Sequence, residues 1–478
     1  MKYKNILFGV IALLFFGAIG CDTNIVDQNN LSSESGAVLS NEFSMDQMAT
    51  AAETNSIIDG EYLLLFKGNK IPKGFSDDIE DKGGNIIYQH DSGFAYVSGL
   101  TSSQAEEMRA RKDISELTAN ASFSLNLPND AELSSEEAVA SSTQNPAGSF
   151  FYARQWHYPA IDADQAWAAG YLGSEDVTFA ILDGGIDYTN LDLSGLVDLS
   201  RSISFVPTDD ALVDIYFPGR NYITDLQYHG THVAATVASN GIIGAGTTSK
   251  TTLTGIKVCD VFGDCNFGAI FSGLLFASET GVDVANMSLG GGFLKAGNGN
   301  FVGFINSLMN TVRRAGVTVV VSAGNSAADL DKDGNIYNAF CDSPNVICVS
   351  ATGPIASQSV NGPFTDVDAP AVYSNFGRSS IDVAAPGGNT GAPVWATCTQ
   401  TSLVVPVCQT GNFIVGLSGT SMASPHVSGL AALIISQGTN NPGQVKSAIL
   451  QSADDLGQNG TDKFYGKGRI NVAKALGL

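Results

Sequence analysis

The sequence is poor in basic residues. Its 24 lysines and arginines stand against 47 aspartates and glutamates, which gives a net charge of −23 and an isoelectric point near 4.4. Binding to nucleic-acid phosphates needs clustered Lys and Arg side chains, so this shortage argues against a nucleic-acid partner. Charged residues make up only 15% of the chain, against 44% hydrophobic residues and 53 glycines. This composition excludes a disordered or coiled-coil chain and fits a compact globular protein with many tight turns.

The N-terminal apolar run from Ile6 to Ile19 is too short to span a bilayer comfortably. It follows two lysines and precedes small residues, the pattern of a secretory signal peptide over residues 1–20. Ala18-Ile19-Gly20-Cys21 resembles a bacterial lipobox, in which the cysteine is acylated and becomes the new N-terminus. We therefore expect an exported protein, lipid-anchored through Cys21 with residues 21–56 as a tether. The alternative is an ordinary cleaved signal with an incidental cysteine.

Cysteine is scarce, with seven residues in the chain. If Cys21 carries a lipid, the other six form an even set, and an exported chain reaches compartments where disulfides form. Six cysteines allow fifteen pairings, so closeness in sequence is the only guide, and free buried thiols are the alternative. Closeness pairs Cys259 with Cys265, Cys341 with Cys348 and Cys398 with Cys408.

Residues 57–127 have the pattern of a small α+β unit. Short apolar runs and one capped polar stretch predict its elements: strands at Tyr62–Phe66, Gly93–Val97 and Leu117–Leu125, and a helix at Ser103–Arg111. Residues 128–150 are rich in Ser, Glu, Ala and Asn, which is typical of a linker.

Residues 151–478 alternate between short β-branched runs and helical stretches. The alternation predicts a mostly parallel sheet, doubly wound, with helices on both faces. Sites in such folds lie at the carboxyl ends of the strands. The predicted strands are Val177–Leu182, Leu253–Val258, Val282–Met287, Val317–Val321, Val346–Val349 and Ile381–Ala384. The predicted helices are the stretch after His229, Gly268–Thr280, Val302–Ala315 and Ser421–Ser436.

Three segments carry the residues of acyl-transfer chemistry. Asp183 ends an apolar strand and is followed by two glycines, His229 opens a helix rich in small residues, and Ser421 opens another helix. Pro425 is tolerated in that helix because it falls near the first turn. A nucleophile, a base for its proton and a carboxylate to orient the base are what acyl transfer at neutral pH requires.

These motifs, in the order Asp, His, Ser, resemble the subtilisin-like serine proteases from about Trp156 to Leu478. The resemblance implies a subtilisin-like fold with Asp183 as the orienting acid, His229 as the general base and Ser421 as the nucleophile. It also implies that Asn325, in Ser322-Ala323-Gly324-Asn325, donates to the oxyanion. Catalysis of this kind needs no cofactor.

The resemblance extends to substrate binding. Ser288-Leu289-Gly290 matches the strand that pairs with an extended peptide, and Ser322-Ala323-Gly324 would form another wall of the main specificity pocket. Neither segment has an acidic side chain, so we expect peptide and protein substrates with apolar rather than basic residues before the cut.

Asp329, Asp331 and Asp333, followed by Gly334, alternate like the oxygen ligands of a calcium loop. The terminal glutamate of such a loop is missing, so a structural calcium ion and a solvated acidic turn are both open.

The unit at 57–127 resembles the family's inhibitory prodomain, which is ferredoxin-like, in position, size and pattern. The resemblance implies a proenzyme that removes its own prodomain and then acts as a monomer, at the cell envelope or after release. Two other hypotheses are open. One is a catalytically silent surface-binding protein with the same fold. The other is an esterase, whose usual G-x-S-x-G motif the serine segment lacks.

Overall fold

The computed structural model describes residues 56–125, 132–134, 136–139, 145–296, 298–332 and 334–478. The predicted signal peptide, Cys21, nearly all of the predicted tether and Asp333 lie outside these residues, so the predictions made on them stay predictions. Among the described helices, none is long and apolar enough to cross a membrane.

Residues 56–124 form an antiparallel sheet with two helices, which we call the N-terminal unit. Its elements are β1 Ser56–Phe66, α1 Phe75–Asp81, β2 Asn85–His90, β3 Phe94–Ser98, α2 Ser102–Arg109 and β4 Ile114–Ser124. The strand order β2-β3-β1-β4 and the βαββαβ succession are ferredoxin-like, as predicted. The N-terminus of α2 has a capping box in which Thr101 and Gln104 bond each other's backbone N–H groups. No pattern in the sequence predicted α1 and β2.

The remaining elements build the large unit. Its strands are β5 Glu132–Leu133, β6 Thr178–Asp183, β7 Ile203–Ser204, β8 Thr252–Lys257, β9 Asp264–Asn266, β10 Val284–Met287, β11 Gly291–Leu294, β12 Thr318–Ser322, β13 Ile336–Ala339, β14 Val346–Thr352, β15 Ala356–Ser357, β16 Phe364–Thr365, β17 Val383–Pro386, β18 Val394–Thr397 and β19 Ile414–Leu417. Its helices are α3 His157–Ala160, α4 Ala163–Ala168, α5 Pro207–Tyr216, α6 His229–Val237, α7 Phe267–Glu279, α8 Gly299–Arg314, α9 Thr420–Ser436, α10 Pro442–Ser452 and α11 Val472–Ala475.

A parallel sheet of seven strands forms the centre of the large unit, in the order β17-β14-β12-β10-β6-β8-β7. Successive side chains of a strand point to opposite faces. In β6, Phe179 and Ile181 therefore join a core with α6 and α9, whereas Ala180 and Leu182 join a second core with α7 and α8. Both faces are covered, as the six predicted strands indicated. The seventh strand, β7, has only two residues and was not predicted.

A buried ion pair holds α5, another element that the sequence analysis did not predict. The Lys257 ammonium lies 2.8 Å from Asp209 Oδ2, and both side chains are almost completely buried. Lys257 also donates to the carbonyl of Thr224. The two charged residues lie far apart in sequence, one in a helix and one in a strand, so they give no periodic signal. Removing either one would leave the other charge unpaired in the interior.

The three disulfides have the predicted partners. Cys259 is bonded to Cys265, Cys341 to Cys348 and Cys398 to Cys408. The first joins the end of β8 to β9, the second joins a turn to β14, and the third closes the loop before β19. Each therefore holds a connection next to a strand of the large unit.

The N-terminal unit packs on α7 and α8 of the large unit. Strand β4 pairs antiparallel with β9, so that β9 becomes the fifth strand of the N-terminal sheet. The ring of Phe94 stacks on that of Phe304 at 5.7 Å, and Asn120 accepts a 2.9 Å hydrogen bond from the Gly268 N–H. Glycine is needed at 268, because a Cβ there would lie 2.8 Å from the Tyr96 ring. Apolar and polar contacts thus join the two units.

Candidate active site

Three strands of the parallel sheet end side by side at the candidate site. Leu182 of β6 pairs with Met287 of β10, and Met287 pairs with Val321 of β12. The residues that follow them are Asp183, Ser288 and Ser322. These three residues therefore share the carboxyl edge of the sheet, the edge at which open α/β sheets place their sites.

His229 is brought to Asp183 by the start of α6. Its Nδ1 lies 2.9 and 3.0 Å from the two Asp183 carboxylate oxygens, and both residues are buried. A carboxylate only accepts, so Nδ1–H donates and Nε2 is left as the basic nitrogen. The close approach requires glycine at 230, because a Cβ there would lie 2.1 Å from the Gly185 carbonyl oxygen. This is the geometry of an oriented general base.

Asp225 and Gln227, which the sequence analysis missed, hold the start of α6. Asp225 Oδ2 accepts 2.8 Å and 2.6 Å hydrogen bonds from the Thr231 N–H and hydroxyl, and Gln227 accepts from the His229 N–H at 2.8 Å. The sequence does carry a signal for this contact. Asp225 is an acidic residue shortly before a helix whose N-cap position is not Ser, Thr, Asp or Asn. Burial raises the pKa of Asp225 to about 6, despite the hydrogen bonds from Thr231 and Gln227.

The pKa of His229 is raised by its anionic neighbours. Burial alone would lower the pKa, because it disfavours the charged imidazolium. The negative charge of Asp183 and its hydrogen bond to the ring outweigh burial, and the charge of Asp225 adds to them. The net direction is upward from the ordinary histidine value.

Ser421 lies in the first turn of α9 and exchanges two hydrogen bonds with Ser288. Pro425 has no N–H, so the Ser421 carbonyl lacks the donor that the fourth residue along a helix normally supplies. The Ser288 hydroxyl replaces that donor at 2.7 Å. In return the Ser421 hydroxyl donates to the Ser288 carbonyl at 3.1 Å. The serine backbone is thereby tied to the sheet edge beside Asp183.

A buried polar network completes the surroundings of Ser288. Its oxygen accepts from the Asn286 amide at 2.9 Å and lies 2.8 Å from the Ser424 hydroxyl, while Ser428 donates to Asn286 Oδ1 at 2.9 Å. Because the only hydroxyl proton of Ser288 goes to the Ser421 carbonyl, Ser424 is the donor to Ser288. Each of the four side chains in this network has a hydrogen-bond partner, which makes the arrangement rigid.

Asn325 lies beside the start of α9, which it bonds through its side-chain oxygen. Its Oδ1 accepts from the Thr420 N–H at 2.9 Å and the Thr420 hydroxyl at 2.8 Å. Asn375, which the sequence analysis missed, fixes the loop by donating to the Ala323 carbonyl and accepting from the Ser326 N–H. Gly324 has φ +98°, and a Cβ there would lie 2.5 Å from Asn375.

A family model described as "Subtilase family" matches residues 174–468 of this sequence. The chain belongs to the subtilase family. It is therefore a serine endopeptidase with a subtilisin-like fold, and the parallel sheet with helices on both faces agrees with this assignment.

Individual relatives agree over most of the chain. Subtilisin DY of Bacillus licheniformis is 34% identical over 322 residues, which cover 66% of this chain and 96% of the relative. Subtilisin E of Bacillus subtilis is 29% identical over 437 residues, which cover 90% and 93% of the two chains. A solved structure, the epidermin leader peptide processing serine protease of Staphylococcus aureus, has a TM-score of 0.65 at 20% identity, covering 88% of this chain and 99% of that one. This last likeness is one of fold.

The segments predicted to bind substrate flank the subtilase site. Ser288, Leu289 and Gly290 follow β10. Ser322 ends β12, and Ala323 and Gly324 lead from it to Asn325. Leu289 and Ala323 are buried, and a Cβ at Gly290 would lie 2.6 Å from the Ala339 carbonyl oxygen. The two predicted walls thus follow neighbouring strands.

The predicted calcium ligands lie apart from these groups. Asp331 accepts hydrogen bonds from the backbone N–H groups of Arg378 and Ser379, and Asp329 makes a 3.0 Å ion pair with Lys332. Within the described part of the chain, no group of three His, Cys, Asp or Glu residues is arranged to hold a metal ion. As placed, Asp329 and Asp331 bond neighbouring residues of the large unit, and calcium binding stays a prediction.

The tie between Ser288 and Ser421 predicts the effect of Ser288→Ala. The substitution leaves the buried Ser421 carbonyl without a donor, which costs about 1 to 3 kcal/mol. We expect kcat on a small ester substrate to fall roughly tenfold or more, since each 1.4 kcal/mol of lost transition-state stabilisation is a factor of ten. The control is Ser428→Ala, which removes a hydroxyl from the same network without touching Ser421. Equal kcat values for the two folded variants would contradict a positioning role for Ser288.

Proposed function

We propose that this subtilase is an exported, self-processing endopeptidase in which Asp183, His229 and Ser421 form the catalytic triad. The observation that carries the proposal is the hydrogen bond from His229 Nδ1 to Asp183. This pair lies at the sheet edge where Ser288 makes two hydrogen bonds with Ser421. Asn325 and the Ser421 N–H are the proposed oxyanion donors. The protein acts on peptide bonds, and the lack of an acidic side chain at 288–290 and 322–324 supports a preference for apolar residues before the cut.

The reaction follows from these positions. Ser421 Oγ attacks the carbonyl carbon of the substrate while its proton moves to His229 Nε2, and Asn325 stabilises the oxyanion that forms. The carbon–nitrogen bond then breaks as His229 gives that proton to the leaving amine. Water enters, loses a proton to His229 and attacks the acyl carbon. The bond from that carbon to Ser421 Oγ then breaks as His229 returns the proton to this oxygen, and the acid leaves. Asp183 keeps its charge and holds the ring throughout.

The N-terminal unit is the proposed inhibitory prodomain. Its sheet is continued by β9 of the endopeptidase, and its aromatic side chains pack on α7 and α8. The match to subtilisin E, which spans 90% of this chain, supports a precursor of similar extent. A prebuilt surface that contacts both helices and β9 would also help a parallel sheet of high contact order to form.

The path of the chain supports an intramolecular maturation cut. Strand β4 of the N-terminal unit ends at Ser124 on β9, and the chain pairs again at Glu132 with β19, the strand that leads to Ser421. The chain is therefore paired to the endopeptidase on both sides of the proposed cut. We propose that Ser421 makes the cut that separates Ser124 from Glu132.

Export and lipid anchoring are proposed from the N-terminal sequence. The signal pattern of residues 1–20 and the lipobox-like Cys21 support a precursor held at the cell envelope by its acylated N-terminus until the maturation cut. The three disulfides agree with an oxidising destination. We propose a monomer after maturation.

The raised pKa of His229 predicts the acid limb of the pH profile. Catalysis needs the neutral imidazole, so kcat/KM is lost as pH falls through this pKa, which lies above the ordinary value of 6.5. Asp183→Asn removes the charge that raises the pKa, so the limb should move to lower pH while kcat falls about 10⁴-fold. Asp225→Asn, the control, should shift the limb less and largely preserve kcat. An acid limb that stays in place in Asp183→Asn would contradict the pairing.

Ser421→Ala tests both the nucleophile and self-processing. Because the triad acts as a unit, turnover should fall on the order of a million-fold, and the folded precursor should keep residues 57–127. Asn325→Ala should slow both reactions by about 10² to 10³, so that mature protein still accumulates slowly. The measurement is the mass of precursor and mature protein over time in a host without other exported proteases. Maturation of Ser421→Ala at the wild-type rate would show that another protease makes the cut.

A further inference from the structure

Part of the predicted linker forms a strand on the outer edge of β19. We call residues 132–139 the strap, of which 132–134 and 136–139 are described. Glu132 and Leu133 pair antiparallel with Gly416 and Val415. The backbone pairing continues as the Ser134 N–H donates to the Ile414 carbonyl at 3.0 Å. Further along, the Ala138 N–H donates to the Asn412 carbonyl at 2.8 Å. The strap therefore covers the edge of β19 that β18 leaves open.

Side chains fasten the strap to the large unit. Ala138 is 4% exposed and lies in a small apolar cluster with Phe151, Trp395 and Ile414. Glu136 makes an ion pair with Arg154, whose guanidinium lies over the rings of Phe151 and Trp395 at 5.1 and 5.5 Å. Arg154 is buried, so the strap supplies the partner for a largely desolvated charge.

The position of the strap relative to Ser421 indicates which part of a substrate the edge of β19 is suited to bind. β19 ends at Leu417, four residues before Ser421 in the chain. In the proposed maturation cut, the residues on the acyl side come from β4, and the strap lies on the leaving-group side. An open sheet edge binds an extended peptide through its backbone whatever the side chains are. The edge of β19 is thus suited to the leaving-group side of any long substrate.

We propose that the strap stays on β19 after maturation and blocks the binding of long leaving-group segments, so that the mature enzyme favours substrates with few residues after the cut. This inference rests on the proposed function. The strap remains covalently joined to residue 145 and beyond, so it competes with an outside peptide at a high effective concentration. An outside peptide must in addition lose its translational and rotational freedom on binding.

Substitutions at two adjacent residues distinguish the effect of releasing the strap from the effect of adding a negative charge to it. Ala138→Asp places a charge in the apolar cluster and should release the strap, which faster amide exchange at 132–139 would show. Val139→Asp adds the same charge at a side chain that is 73% exposed, so the strap should stay bound. The mature enzymes are assayed on an anilide with no residue after the cut and on a peptide with the same acyl side and eight residues after it.

Ala138→Asp should raise kcat/KM on the long peptide about tenfold, through a lower KM, and leave the anilide unchanged. Val139→Asp should change neither. Normal anilide hydrolysis with an unchanged long-peptide rate after strap release would overturn the strap inference alone. A mature N-terminus beyond residue 139, measured by mass, would overturn it as well. Absence of anilide hydrolysis in the wild type would contradict the proposed function, and the strap inference with it.

Discussion

The burial of helix α9 against the parallel sheet is the constraint on which the site depends. Nearly every residue from Thr420 to Ile435 is buried, so packing on all sides fixes the position of the helix. Pro425 would leave the carbonyl of Ser421 unbonded there, and Ser288 supplies the missing donor from the end of β10. Asn325 bonds the preceding residue, Thr420, from the end of β12. The strand ends thus fix the proposed nucleophile and the proposed oxyanion donor together, before any substrate binds.

Charge is concentrated around one histidine in this interior. Asp183 bonds the ring of His229, and Asp225 lies behind the start of the same helix. Two buried carboxylates are costly unless hydrogen bonds hold them, which explains why Thr231 and Gln227 donate to Asp225. The same carboxylates raise the pKa of His229, so that it takes a proton from a serine more readily. The arrangement that stabilises the helix start also tunes the proposed base.

The sequence was sufficient wherever one local pattern determines the structure. Runs of β-branched residues predicted six of the seven parallel strands, and the motifs of Asp183 and His229 supplied two side chains that the structure joins by a hydrogen bond. Contacts between distant segments were missed. Lys257 with Asp209, Asn375 with the Asn325 loop and Asp225 with Thr231 are pairs whose members carry no periodic signal. The polar composition of the strap predicts a linker and hides the backbone pairing with β19, which depends only on an open strand edge.

The most direct test of the account is covalent labelling of the mature protein with a fluorophosphonate. If Ser421 is an activated nucleophile, its oxygen bonds the phosphorus, fluoride leaves, and peptide mapping finds the added mass on Ser421 alone. The account predicts complete labelling at neutral pH, strong slowing in Asp183→Asn and none in Ser421→Ala. A folded mature protein that stays unlabelled, or one labelled at another serine, would contradict it and favour a catalytically silent binding protein or a different nucleophile.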